Sequence, residues 1–178
     1  MERIHTDRLE LVSLDEGFLT ATIEGDVKRA QARLGARVPS PWFREVLLAS
    51  ARLQNLRDDP TIKEWLLRAV VRPDREEMVG HVGFHSRPGP ADLEAHLPGG
   101  VELGYEIFEA HQRRGYGQEA VAGLMGWAHR AHGQSSFMVA IAPGNQPSLA
   151  LARKLGFSPI GHRAGVVHPR EQLLSLRL

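Results

Sequence analysis

The sequence predicts a mixed α/β protein whose strands form one sheet that is not a regular βαβ repeat. The first observation is element order: apolar segments run strand, two helices, a run of strands, helix, strand, helix, strands. The second is the junction around Gln112-Arg113-Arg114-Gly115-Tyr116-Gly117, where a strand pattern ends, a basic glycine turn follows and a long amphipathic run begins. The third is size: 178 residues, 42% of them apolar, suit a single domain (1–178) with a packed core.

Leu9 to Leu14 alternates and reads as the first strand. Asp15 reads as a helix cap, with Phe18, Leu19, Ile23, Val27, Ala30 and Leu34 as one apolar stripe behind it. Val38-Pro39-Ser40-Pro41 breaks that helix, and a second helical stretch runs from Trp42 to Leu56 until Asp58-Asp59-Pro60 stops it. Trp65 to Val71 reads as a buried strand, Arg72 to Glu77 as a polar turn, and Met78 to His85 as its hairpin partner. The Pro/Gly-rich stretch from Arg87 to Gly100 reads as a mobile loop.

Val101 to Phe108 is the strand before the turn. Gly117 to His132 is helical, with Ala120, Leu124, Trp127, Ala128 and Ala131 on one face. Phe137 to Ala142 is a strand, Asn145 to Leu155 a short helix closed by Gly156, and Phe157 to His162 and Glu171 to Leu178 are closing strands.

Composition excludes several classes. A net charge of +1 gives no bulk field toward nucleic acid or an acidic membrane, so any anion site must be local. With no cysteine there are no disulfides, thiolate metal sites or cysteine nucleophile. Met1-Glu2-Arg3-Ile4-His5 lacks the apolar core of a signal peptide, and no apolar run approaches the ~18 residues of a membrane span. The expectation is a soluble, cytoplasmic protein.

The turn has the composition of a phosphate cradle. Gly115 and Gly117 let backbone approach a ligand closely, the first amides of the helix point outward with the favourable end of its dipole, and Arg113 and Arg114 add positive charge. A plain tight turn with solvated arginines has the same composition. Ala120 stands where a dinucleotide fingerprint needs its third glycine, and no Gly-Lys-Ser/Thr follows.

A second motif narrows the reading. Asn145-x-x-Ser148 and Lys154-Leu155-Gly156-Phe157 follow the Phe137–Ala142 strand, and with the turn they resemble the GNAT superfamily of N-acetyltransferases over residues 101 to 157. The opening Thr6-Asp7-Arg8-Leu9-Glu10-Leu11 is similar to the start of the ribosomal-protein N-acetyltransferase (RimJ/RimL-like) branch. The resemblance implies the acyl-CoA N-acyltransferase fold, a single mixed, mostly antiparallel sheet flanked by helices. It implies acetyl-CoA as cosubstrate, its pantetheine arm beside Ile107 and Phe108. It also implies a pyrophosphate on the amides of Arg113, Arg114, Gly115, Tyr116, Gly117 and Gln118, with Asn145 and Ser148 flanking the thioester. The expected partners are acetyl-CoA and an amine acceptor, with a homodimer allowed, and neither nucleic acid nor membrane.

An amine attacks a thioester only when neutral. An α-amine titrates at about 7.7–8.0 and a lysine at about 10.4, so a base is wanted. Glu102 is the candidate, acting directly or through water; it would otherwise bind a cationic substrate or face solvent. A backbone N–H near Ile107 would serve the oxyanion. Many superfamily members carry a tyrosine acid four residues before the glycine of the Gly-Phe pair, but here that position is Ala152. Ser148 is the substitute acid; it would otherwise cap the first helical turn or only contact the cofactor.

Histidines 81 and 85 share a strand face, and 129 and 132 lie near one helical face, but without a matched carboxylate or cysteine pattern no metal is expected. Trp42, Phe43 and Trp65 read as core, and Asp92, Glu94 and His96 as loop groups able to attract a cationic amine. The reading is an N-acetyltransferase working by direct transfer in a ternary complex. An acyl-CoA-binding sensor without turnover is the alternative, with a nucleotide-binding protein behind it.

Overall fold

The structure, a computed structural model, describes residues 1–165 and 170–178. Strands β1 (Arg3–His5) and β2 (Glu10–Ser13) lead into helices α1 (Glu16–Ile23), α2 (Val27–Leu34) and α3 (Val46–Asp58). Strands β3 (Leu67–Arg72) and β4 (Glu77–Phe84), the short helix α4 (Ala91–Glu94) and strand β5 (Val101–Ile107) follow. Helix α5 (Tyr116–His132), strand β6 (Ser136–Ile141), helix α6 (Gln146–Lys154) and strands β7 (Ser158–Arg163) and β8 (Glu171–Arg177) complete the chain. The strand order is β1-β2-β3-β4-β5-β6-β8-β7. β5 and β6 run parallel, whereas β1–β2, β2–β3, β3–β4, β6–β8 and β7–β8 are antiparallel. The single, mostly antiparallel sheet matches the expected fold class.

The chain divides into two compact units, one of residues 1–83 and 105–124, the other of residues 84–104 and 125–178. In the first, Phe18, Leu19, Leu34, Leu53, Val71 and Met78 pack around Trp42. Trp42 is fully buried, its ring 5.7 Å from that of Phe18. Its indole N–H donates to Thr22 Oγ1 at 2.8 Å, and Thr22 in turn donates to the Phe18 carbonyl, so no polar atom of this knot is left unpaired.

Asp15 caps α1 as expected, accepting from the Phe18 amide. The single helix expected from Asp15 to Leu34 is two. Gly25 takes φ +70° and Asp26 caps a new helix by accepting from the Arg29 amide, which turns Val27 out to solvent. β1 went unread in the sequence because one apolar residue, Ile4, makes no alternation; pairing of Ile4 with Leu11 creates it. The second helical stretch starts as a short 3-10 turn at Ser40–Arg44, where Pro39 and Pro41 remove amide donors.

In the second unit Leu93, Leu97, Met138 and Leu173 form a small apolar cluster. The loop read as mobile is laced by its own hydrogen bonds. The Gly89 amide donates to the Gly100 carbonyl at 2.8 Å, and Glu94 Oε1 accepts from the Gly99 amide at 2.9 Å. The buried stripe of α5 is Ala120, Val121, Leu124, Met125 and Ala128; Ala131 is exposed, and Trp127 packs edge-on against His132 instead. Among the described residues no helix is long and apolar enough to cross a membrane.

Trp42→Ala should lower the unfolding free energy by about 3–5 kcal/mol through the cavity it leaves and the lost indole donor. Urea unfolding followed by far-UV circular dichroism measures this.

Candidate functional site

The glycine turn belongs to the first unit. Arg113 and Gly115 both take left-handed φ, +61° and +81°, and the chain enters α5 directly afterwards. The Glu119 amide donates to the Gly115 carbonyl, so the helix ladder starts there and the amides of Tyr116, Gly117 and Gln118 precede it. This is a concave run of donors at the positive end of a 17-residue helix. Arg113, Arg114 and Gly115 are exposed and Tyr116 is buried.

The opening motif holds this turn. Glu119 in the first turn of α5 would repel a bound anion, but its Oε1 accepts from Thr6 Oγ1 at 2.6 Å and from the Arg8 amide at 2.7 Å. Its Oε2 accepts from Arg8 Nε at 2.7 Å. Burial would raise the Glu119 carboxyl, yet the bonds from Thr6 and Arg8 outweigh it and hold it below the usual carboxylate range. Arg8 also donates to the Arg114 carbonyl at 3.0 Å and lies over the Tyr116 ring at 4.9 Å. A Cβ at Gly115 would sit 3.2 Å from the Arg8 guanidinium. Sequence reading placed Arg8 in a family-like opening, not in the turn; no local pattern couples residues more than a hundred positions apart.

Upstream of the turn, β5 offers a strand edge. Its register with β6 covers Val101 and Glu102, and Leu103 to Ile107 lie beyond it. The Phe108 amide donates to the Val79 carbonyl of β4, so by strand alternation the Ile107 amide points to the opposite edge. The Ile107 carbonyl accepts from Gln112 Nε2 at 2.9 Å. Phe108 is buried, with its amide and carbonyl both bonded within the fold, so Ile107 presents the backbone at this position.

Glu102 belongs to the second unit and does not face solvent: 6% of it is exposed. Arg163, at the end of β7, donates from both terminal nitrogens to its two carboxylate oxygens, each at 2.6 Å. Arg163 also reaches Glu171 Oε2 at 3.3 Å. His85, just past β4, places Nδ1 3.4 Å from Glu102 Oε1. Burial pushes the Glu102 carboxyl up, but the bonds and charges of His85 and Arg163 prevail and hold it at about 2. These groups line a cavity of about 630 Å³ with Asp92, Ala140 and Glu171. Among the described residues, three carboxylates against one guanidinium give it an acidic lining.

Asn145 caps α6, accepting from the Ser148 amide at 3.2 Å. The capping role considered for Ser148 therefore falls to Asn145, and Ser148 is half-buried in the first turn. The Ala152 position is 1% exposed, so no side-chain acid reaches the surface there. Elsewhere, in the first unit, Glu45, His81 and Glu106 bring potential ligand atoms within 4.8 Å of one another. The carboxylate partners missing from the sequence around His81 and His85 are thus supplied by the fold, His81 Nε2 lying 3.6 Å from Glu106.

The sequence model for the Acetyltransferase (GNAT) domain matches residues 11–158. The uncharacterized N-acetyltransferase YjdG of Bacillus subtilis is 26% identical over 167 residues, covering 88% of this chain and 90% of that protein. The structure of a putative GnaT-family acetyltransferase from Bordetella pertussis superposes with a TM-score of 0.69 at 22% identity, covering 99% of both chains. RimL, a ribosomal alpha-N-protein acetyltransferase solved in complex with coenzyme A, superposes with a TM-score of 0.68 at 19% identity, covering 99% of this chain and 98% of that one.

The Glu102–Arg163 pair makes stability pH-dependent. A carboxyl at about 2 in the fold and about 4.5 when unfolded contributes stability above pH 4.5 that is lost as pH falls toward 2, about 3 kcal/mol in all. Arg163→Met removes one of the two partners that hold this carboxyl down, His85 being the other, so it should lower the unfolding free energy at pH 7 by part of that amount and converge with wild type as pH falls toward 2. Urea titrations across that range measure it.

Proposed function

Because the chain belongs to the acetyltransferase (GNAT) family, we propose that it transfers the acetyl group of acetyl-CoA to a primary amine by direct attack in a ternary complex. The observation that carries this is the turn. Left-handed backbone at Arg113 and Gly115 leads into the unbonded first amides of α5, and Arg8 pairs with the Glu119 carboxylate of that first turn. A diphosphate fits that donor set.

In this reading the amides of Arg113, Arg114, Gly115, Tyr116, Gly117 and Gln118 receive the pyrophosphate. The edge of β5 at Ile107, with Phe108 beside it, receives the amide-bearing arm, as an added strand would be received. The Ile107 amide, directed away from β4, is the oxyanion donor. Asn145 and Ser148 stand at the thioester end, with the Ser148 hydroxyl donating to the departing sulfur. Buried Ala152 supports this choice, because the helix has no tyrosine to do it. Glu102 serves the acceptor: its charge, with Asp92 and Glu171, favours a cationic amine in the cavity. A small-molecule amine and a protein N-terminus both meet that requirement. One catalytic domain spans residues 1–178.

Release of free CoA from acetyl-CoA should be detected with a panel of polyamines, aminoglycosides and peptides bearing free N-termini. Tight acetyl-CoA binding with no acetylation across the panel would favour the binding-module reading, and preference for ATP over CoA would sink both. Gly115→Val should weaken CoA at least about tenfold, roughly 1.4 kcal/mol, because the added atoms crowd Arg8 and disfavour the left-handed φ. Isothermal titration calorimetry measures it.

A further inference from the structure

We propose that Glu45, His81 and Glu106 form a binding site for a divalent cation of the zinc class, which ties the start of α3 to β4 and β5. All three residues belong to the first unit, and the site is independent of the acetyl-transfer reading. Each residue offers one ligand atom, and the three atoms lie within 4.8 Å of one another. Two carboxylates gathered at a surface would carry little by themselves. The histidine is what points to a ligand. His81 is 7% exposed, and its Nε2 is buried with no hydrogen-bond partner among the described residues. A buried ring nitrogen left in that state is costly. Glu106 Oε2 stands 3.6 Å from it, too far for a hydrogen bond. Donor atoms held about 2.0–2.1 Å from a tetrahedral cation stand roughly 3.3 Å apart, so 3.6 Å is close to the spacing of two ligands on one ion.

The fold presents the three groups from separate elements. The His81 ring stands edge-on to Trp42 at 5.5 Å and lies 6.4 Å from the Phe108 ring, so apolar walls fix its orientation. Gly80, the residue before it, lets β5 come close: a Cβ there would lie 2.2 Å from the Glu106 carbonyl oxygen. Glu45 stands at the N-cap of α3, yet its side chain makes no capping hydrogen bond. Its carboxylate lies with His81 and Glu106 instead. The Glu106 side chain is 51% exposed, so it has room to close the remaining distance, and solvent reaches the site to complete the ion's shell.

Charge and donor type select the occupant. Among the described residues no lysine or arginine ion-pairs with Glu45 or Glu106. The two carboxylates repel at their separation, and a cation between them reverses the sign of that interaction. Two carboxylates with a neutral imidazole match the charge of a divalent ion. The imidazole favours zinc, cobalt or nickel over magnesium and calcium, which take oxygen ligands. Three protein ligands leave a position for water.

The test uses the full chain without a histidine tag, stripped with a chelator and titrated with zinc chloride by calorimetry. Wild type should take up one tight equivalent of zinc and bind magnesium far more weakly. Glu106→Gln and Glu45→Gln should each weaken zinc at least about tenfold. Both variants keep all nine histidines, so surface histidines cannot account for that loss. Zinc should raise the Tm of wild type in proportion to the logarithm of its concentration and leave both variants nearly unmoved. Cobalt(II) in place of zinc should give wild type the intense visible absorption of a site with fewer than six ligands, and both variants should lose it. Equal zinc affinity in wild type and both variants overturns the proposal, as does magnesium binding as tight as zinc or no zinc uptake at all. None of these readouts involves turnover, so their failure leaves the acetyl-transfer reading standing.

Discussion

The bidentate pair between Glu102 and Arg163 is the constraint on which the second unit's site depends. It joins β5 to β7, which are separated in the strand order by β6 and β8. Ala140 of β6, small and part of the cavity lining, leaves the room for it. Such a pair is weak evidence for stability as such, because two desolvated charges recover little more than they lose. Its effect is on geometry. With both carboxylate oxygens held, the Glu102 plane is fixed, His85 is fixed against it, and Glu171 is drawn to the same guanidinium at 3.3 Å. Among the described residues, the cavity lining sets one guanidinium among three acids.

The first unit has its own constraint, in the backbone. Arg113 stands in a left-handed conformation that costs a residue with a Cβ roughly 1–2 kcal/mol. Glycine would remove that cost and also remove a cation from the turn. Local strain at a binding turn is sustained when the surroundings over-determine it. Here they do: Gln112 bonds the Ile107 carbonyl, Arg8 bonds the Arg114 carbonyl, and Arg114 bonds the Ala110 carbonyl. The protein's net charge of +1 conceals a basic turn in the first unit and an acidic cavity lining in the second.

What the sequence made legible follows from the range of the interactions involved. The turn, the Asp15 cap and the β3–β4 hairpin are written in residues a few positions apart, and they stand where the pattern put them, whereas the cap of α6 is Asn145 and not Ser148. The family-like ending at Lys154 to Phe157 follows the same rule, with Gly156 at φ +95°. The division of α1 from α2 was hidden because Val27, although exposed, continues the apolar spacing through Gly25. The partners of the site were hidden for a different reason. Arg163 is 61 positions from Glu102, and Arg8 is 111 from Glu119; side chains that meet through sheet order leave no spacing to read.

The histidine of β4 and the one just past its end show that one residue pairing can be buried in opposite senses. Each has a glutamate of β5 for a partner, His81 with Glu106 and His85 with Glu102. The burial is reversed between them. His81 is 8% exposed with its ring edge-on to Trp42 and near Phe108, and its Glu106 is 51% exposed. That carboxylate faces water while the imidazole is sealed in the core. His85 has the ring outside and the carboxylate inside. The same pairing, with His85 four positions after His81 and just past β4, is thus buried in opposite senses at the two places.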